Sequence, residues 1–87
     1  SEHNLGLAVD IVARDYQILD DKQADTAEAR WLEENCWKYG FILRYPTDKT
    51  DITGIIFEPW HYRYVGEEAA REIMERGICL EEYLGSD

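Results

Sequence analysis

The sequence predicts an α+β fold, a small and mainly antiparallel sheet backed by two helices, and three observations carry that expectation. Short β-branched and aromatic runs recur at Leu7–Val12, Phe41–Tyr45, Ile52–Phe57 and Tyr62–Val65, bounded by glycine, proline or polar residues. Two other stretches, after Thr26 and from Glu67, space their apolar residues for a helix. The chain has 87 residues, 45% of them apolar, which suits one domain with one core. A chain of this size buries only about 60% of its unfolded surface, so modest stability is expected.

Residues 1–6 read as a loop leading into the first strand, Leu7–Val12. Asp10 interrupts that strand, and a buried carboxylate is costly unless something compensates its charge. Residues 15–25 are polar and acidic and read as a surface loop. They lack the sixth-position glycine and twelfth-position glutamate of a calcium loop. Thr26 is a good helix N-cap, and Ala29, Leu32, Cys36 and Tyr39 then share a face, flanked by Trp31 and Trp37 as packing residues. Gly40 supplies a left-handed cap.

Phe41–Tyr45 is the second strand, stopped by Pro46. A polar connection follows, and Ile52–Phe57 is expected as a third strand hairpin-paired with the second. Tyr62–Val65 reads as a fourth strand, then Gly66. Glu67–Arg76 is a helix with acids in its first turn and Ala69, Ala70, Ile73 and Met74 on its buried side. Gly77 closes it, and Leu80–Leu84 adds a short turn.

The net charge of −10 leaves no basic patch to displace counterions, so a nucleic-acid partner is not expected. No apolar run approaches the ~20 residues of a membrane span. Two cysteines, Cys36 and Cys79, are too few for a disulfide scaffold and lack partners at metal-ligand spacing. Cys36 falls on the apolar side of its helix, as a small buried thiol does.

The stretch that draws the chemistry together is Phe57-Glu58-Pro59-Trp60-His61. Proline biases Glu58 toward an extended backbone, so Glu58 is expected to close the third strand. Residues three apart in a regular strand point to opposite faces, so Glu58 and His61 can share a site only if the chain bulges or turns near Pro59. The other histidine, His3, precedes Asp10 by seven residues, about 23 Å if extended. Gly6 is the residue best suited to turn the chain back between them. Two imidazoles and a carboxylate, with a fourth position left for water, is a common catalytic zinc arrangement, and a further carboxylate can then act as general base. On spacing alone these patterns are weak, because a histidine near a sheet is more often a hydrogen-bonded core residue.

Ser1-Glu2-His3-Asn4-Leu5-Gly6-Leu7-Ala8-Val9-Asp10 resembles the S-x-H-x-x-G-x-A-x-D signature of the zinc D-alanyl-D-alanine carboxypeptidases of the VanY type. Glu58-Pro59-Trp60-His61-Tyr62-Arg63-Tyr64-Val65-Gly66 resembles their second signature, E-x-W-H-x-R-Y-V-G. The intervening helix, Lys38–Tyr45 and the closing helix also match, so the resemblance spans essentially the whole chain. It implies a Hedgehog/DD-peptidase-like fold, with residues 1–87 as the C-terminal part of a single catalytic domain whose N-terminal part is missing.

By position, the resemblance implies that His3, Asp10 and His61 bind zinc and that Glu58 is the catalytic base. Ser1 matches a serine close to substrate, Trp60 shapes the pocket wall, and Arg63 braces the sheet. The implied reaction is hydrolysis of the C-terminal D-alanine bond of a peptidoglycan stem peptide or precursor, on the extracytoplasmic side of the cell. Family members carry an upstream arginine that holds substrate, and this chain opens at Ser1. A non-catalytic zinc-binding domain of the same fold therefore stays open, as do L,D-carboxypeptidase and D,D-dipeptidase specificities and the oligomeric state.

Overall fold

The computed structural model describes residues 2–85. Three short strands, β1 (Ala8–Asp10), β2 (Phe41–Leu43) and β3 (His61–Tyr64), form one antiparallel sheet in the order β1-β3-β2. The last strand in the sequence is thus the central one. Ala8, Val9 and Asp10 lie opposite Arg63, Tyr62 and His61. Phe41, Ile42 and Leu43 lie opposite Tyr64, Arg63 and Tyr62. The helices are α1 (Ala27–Asn35), α2 (Thr50–Thr53), α3 (Glu67–Arg76) and α4 (Leu80–Gly85), with 3-10 helices at Asp21–Asp25 and Cys36–Tyr39.

The two long helices form where the pattern predicts them. Thr26 caps α1 by accepting the Ala29 N–H on its hydroxyl at 3.1 Å. The chain then tightens into the 3-10 turn and stops at Gly40, whose φ is +84°. A Cβ at Gly40 would lie 2.6 Å from Cε1 of Tyr64, so both backbone and packing require glycine. Gly40 also accepts the N–H groups of Val65 and Gly66, which ties the end of β3 to the start of β2.

Strand alternation divides the core. Ile42 packs with Ala70 and Ile73 of α3 and Leu80 of α4, and Trp37, Val65, Ile78 and Tyr83 cover that cluster. Tyr62, 1% exposed, faces the other side of the sheet and shares an apolar cavity with Leu32, Cys36 and Phe41. Cys36 and Cys79 are buried free thiols, and burial pushes the Cys36 thiol up to about 11.

Several expectations are corrected. Ile52–Phe57 is not a strand, because β3 occupies the ladder beside β2. Residues 50–53 coil into α2, Gly54 ends it with φ +75°, and Ile55 to Phe57 run outside any ladder. The aliphatic run is not buried: Ile52 is 47% and Ile56 71% exposed. Glu58 accordingly precedes the turn at Pro59 and Trp60, and β3 begins at His61. Residues 15–25 are more ordered than a plain surface loop. Buried Gln23 accepts the Ala13 N–H and donates to the carbonyls of Tyr16 and Ile18, anchoring the 3-10 turn. Met74, Trp31 and Tyr39 are exposed and not packed into the core.

Candidate metal centre

The site forms at one end of the sheet. Residues 2–6 turn before β1, with the Gly6 N–H donating to the His3 carbonyl at 3.0 Å and Gly6 at φ +72°. That turn folds His3 back toward Asp10, as the intervening glycine allows. Asp10 ends β1 directly across the ladder from His61, which starts β3. Opposed residues of an antiparallel pair share a face, so the two side chains project together.

The turn at Pro59 and Trp60, closed by the His61 N–H donating to the Glu58 carbonyl at 3.2 Å, brings Glu58 to the same place. Nε2 of His3 lies 3.3 Å from Oδ1 of Asp10. Nδ1 of His61 lies 3.8 Å from Oδ1 of Asp10 and 3.5 Å from Oε1 of Glu58. The two imidazoles meet edge to face, with centroids 4.6 Å apart. Among the described residues, His3, Asp10 and His61 each offer a donor atom within 4.8 Å of the others.

This set suits zinc. Two imidazoles and a carboxylate are borderline-soft and hard donors that zinc accepts, and donors at ~2.0–2.1 Å from a tetrahedral ion stand ~3.3 Å apart. The His3–Asp10 separation already matches that spacing. The other separations exceed it by at most about 1.5 Å, within reach of side-chain rotation. Asp10 and Glu58 also place two carboxylates beside one imidazole, and a bound cation offsets their mutual repulsion.

Behind the donors lies a network that the sequence reading missed. Oε1 of Glu2 is 2.7 Å from Nε2 of His61, and Oε2 accepts from Nη1 of Arg63 at 2.7 Å. Arg44 reaches the same Oε2 through Nε at 3.4 Å and donates through Nη1 to Glu81 at 2.7 Å. Burial raises the Glu2 carboxyl, but hydrogen bonds with His61 and Arg63 and the Arg44 charge outweigh it and hold the group below its usual range. Tyr45 stacks edge to face on His61 at 4.9 Å and carries Arg44 over its ring. Glu2 stands inside the first signature beside His3, a signal available in the sequence; Arg44 and Tyr45 close the matching stretch Lys38–Tyr45, which by itself names no partner for them.

Of the remaining expected site residues, Trp60 lines a cavity of about 450 Å³ with Leu19, Asp20, Thr47, Ile56 and Phe57. Its carbonyl accepts the Ile11 N–H at 2.8 Å, which helps lock the turn that carries Glu58. Arg63 ties β3 to the 2–6 turn through its ion pair with Glu2. Ser1 lies outside the described residues.

The fold is shared with the catalytic chains of solved carboxypeptidases. The LdcB LD-carboxypeptidase matches with a TM-score of 0.92 at 48% identity, covering 97% of this chain and 40% of that one. A mutant of the vancomycin-resistance D,D-pentapeptidase VanY, in complex with Zn(II), matches with a TM-score of 0.81 at 56% identity, covering 98% of this chain and 45% of that one. Within that class, the family model "VanY: D-alanyl-D-alanine carboxypeptidase" matches residues 1–67, and the chain belongs to that family. The D-alanyl-D-alanine carboxypeptidase of Enterococcus faecalis is 55% identical over 87 residues, which are 100% of this chain and 31% of that protein. The chain therefore spans about a third of the length of this curated relative.

Proposed function

We propose that the protein containing this chain is a zinc carboxypeptidase that removes a C-terminal D-alanine from peptidoglycan stem peptides or their precursors, on the extracytoplasmic side. In this reading His3, Asp10 and His61 hold the ion and Glu58 is the general base. The observation that carries it is the meeting of three donor atoms within 4.8 Å, with Oε1 of Glu58 3.5 Å from one of them. Family membership and the D-alanyl-D-alanine carboxypeptidase of Enterococcus faecalis support the substrate class.

A zinc ion at this position supplies positive charge that acidifies an attacking water and polarises the scissile carbonyl. The remaining work falls to the protein. Glu58, half-buried at the rim, accepts the proton of the attacking water as its oxygen adds to the carbonyl carbon. The same carboxyl then delivers that proton to the amine of the departing D-alanine as the C–N bond breaks. Asp10 and the imidazoles remain fixed by the β1–β3 ladder and the 2–6 turn, so little reorganisation accompanies the step. Trp60 shapes the pocket wall.

The test is release of D-alanine by the intact zinc-loaded protein from two peptides, one ending in D-Ala-D-Ala and one ending in an L-residue followed by D-Ala. Release from the first supports the reading. Absence of release from both, with zinc bound, refutes it in favour of a non-catalytic zinc domain, and release from the second alone moves the specificity to L,D.

A further inference from the structure

The residue most firmly attached to the donor cluster is not a member of it. We propose that Glu2 is a positioning residue for the metal centre, holding the His61 ring in the tautomer and orientation that present Nδ1 to the ion. The inference rests on the reading of His61 as a ligand and goes beyond it in naming what orients that ligand.

An ionised carboxylate has no proton to donate, so the 2.7 Å contact between Oε1 of Glu2 and Nε2 of His61 requires the hydrogen on Nε2. A neutral imidazole carries one N–H, and the lone pair is then left on Nδ1. Nδ1 is the nitrogen that faces Asp10 at 3.8 Å and Glu58 at 3.5 Å. The opposite tautomer would set a lone pair against the carboxylate and aim an N–H at the donor cluster. A ligating histidine is commonly oriented in this way by a carboxylate on its second nitrogen.

Glu2 can serve as a fixed reference because it is itself held. Its second oxygen accepts from Arg63 at 2.7 Å, and Arg63 lies two residues after His61 on the same face of β3. Arg44, anchored to Glu81 on α4, approaches the same oxygen. The Glu2 carbonyl accepts the Leu7 N–H at 3.3 Å, closing the turn that carries His3. One side chain therefore couples the orientation of His61 to the sheet, while its backbone shapes the turn of the other imidazole.

The test uses the intact protein as wild type, Glu2→Gln, Glu2→Leu and His61→Ala. Zinc affinity is measured by competition with a chromophoric chelator, and the His61 tautomer by imidazole nitrogen NMR shifts of the metal-free protein. We expect an Nε2–H tautomer in the wild type and 10–100-fold weaker zinc binding in Glu2→Leu, with Glu2→Gln intermediate because its amide oxygen still accepts. His61→Ala should lose stoichiometric zinc. Zinc retained by His61→Ala overturns the ligand reading and this inference together. Zinc lost by His61→Ala but bound within twofold of wild type by a folded Glu2→Leu overturns the positioning role alone. If Glu2→Leu does not fold, an Nε2–H wild-type tautomer with weakened binding in Glu2→Gln supports the role. An Nδ1–H tautomer or unchanged binding overturns it.

Discussion

Asp10 and His61 are partners across the β1–β3 ladder, the last residue of one strand opposite the first residue of the next. Their side chains share a face because of that register, and a one-residue slip would send them to opposite sides of the sheet. The ladder register therefore sets the Asp10–His61 half of the candidate centre, and each residue can be tested in turn.

Removing either imidazole should abolish stoichiometric zinc. His3 and His61 are the two histidines of the sequence, and both offer a nitrogen to the cluster. His3→Ala should purify with well under one zinc per chain, as read by elemental analysis. Wild-type metal content in that variant would contradict the assignment.

Glu58→Gln should keep zinc and lose turnover. The substitution preserves shape and removes the proton acceptor beside His61. A loss of about 10²–10⁴-fold in kcat is expected for a general base, with metal content unchanged. Substantial D-alanine release by the zinc-loaded variant would remove Glu58 from the mechanism.

Chelation should lower the melting temperature. The donor atoms of the 2–6 turn, β1 and β3 lie within 4.8 Å of one another, so for an ion bound among them part of the binding free energy would be folding free energy. At free zinc of 100 times Kd the stabilisation is about 2.7 kcal/mol. A scanning-calorimetry trace unmoved by verified zinc removal would argue against this coupling.

Gly40→Ala should destabilise the fold. The residue sits at φ +84°, and the added methyl would meet the Tyr64 ring at 2.6 Å and the Gly66 carbonyl carbon at 3.2 Å. We expect a loss of about 1–3 kcal/mol in denaturant titration, the range for a side chain forced into a sparsely populated conformation. A change below a few tenths would show that the β2–β3 junction relaxes freely.

The Arg44–Glu81 pair should give stability an acid limb. Burial raises the Glu81 carboxyl, but the hydrogen bond and charge of Arg44 outweigh it and hold it below 4.5. The folded value is below the unfolded one, so the contribution is complete above the unfolded value and is lost as pH falls through the folded one. Glu81→Gln should thus be less stable than wild type near pH 7, with the gap narrowing below about pH 4.5. A pH-independent gap would assign the loss to packing instead.

Much of this was legible in the chain. The Thr26 cap, the Gly40 and Gly77 stops and the acidic first turn of α3 are local chemistry and appear where expected, whereas Met74, expected on the buried side of α3, is exposed. The need for a turn at Pro59 followed from the period of a strand, and the turn is there. The Ile52–Phe57 strand was misread because an aliphatic run signals burial only when some face is free to receive it. Glu2 lies inside the first signature, but its place there does not show that its carboxylate meets Nε2 of His61, 59 residues away.

By itself the sequence determined the pieces: the helices and their ends, the glycine that folds His3 back, and the identities of the atoms that can bind a metal. Those depend on interactions within a few residues. Only the tertiary structure decided that the last strand lies between the other two, that Asp10 faces His61, and that Glu2 clamps the far nitrogen of that ring. The β1–β3 pairs and the Glu2–His61 contact join residues some fifty or more positions apart, and the β2–β3 pairs join residues about twenty apart. Such contacts arise from the competition among strands for one ladder and among charges for one buried space, which no short stretch encodes.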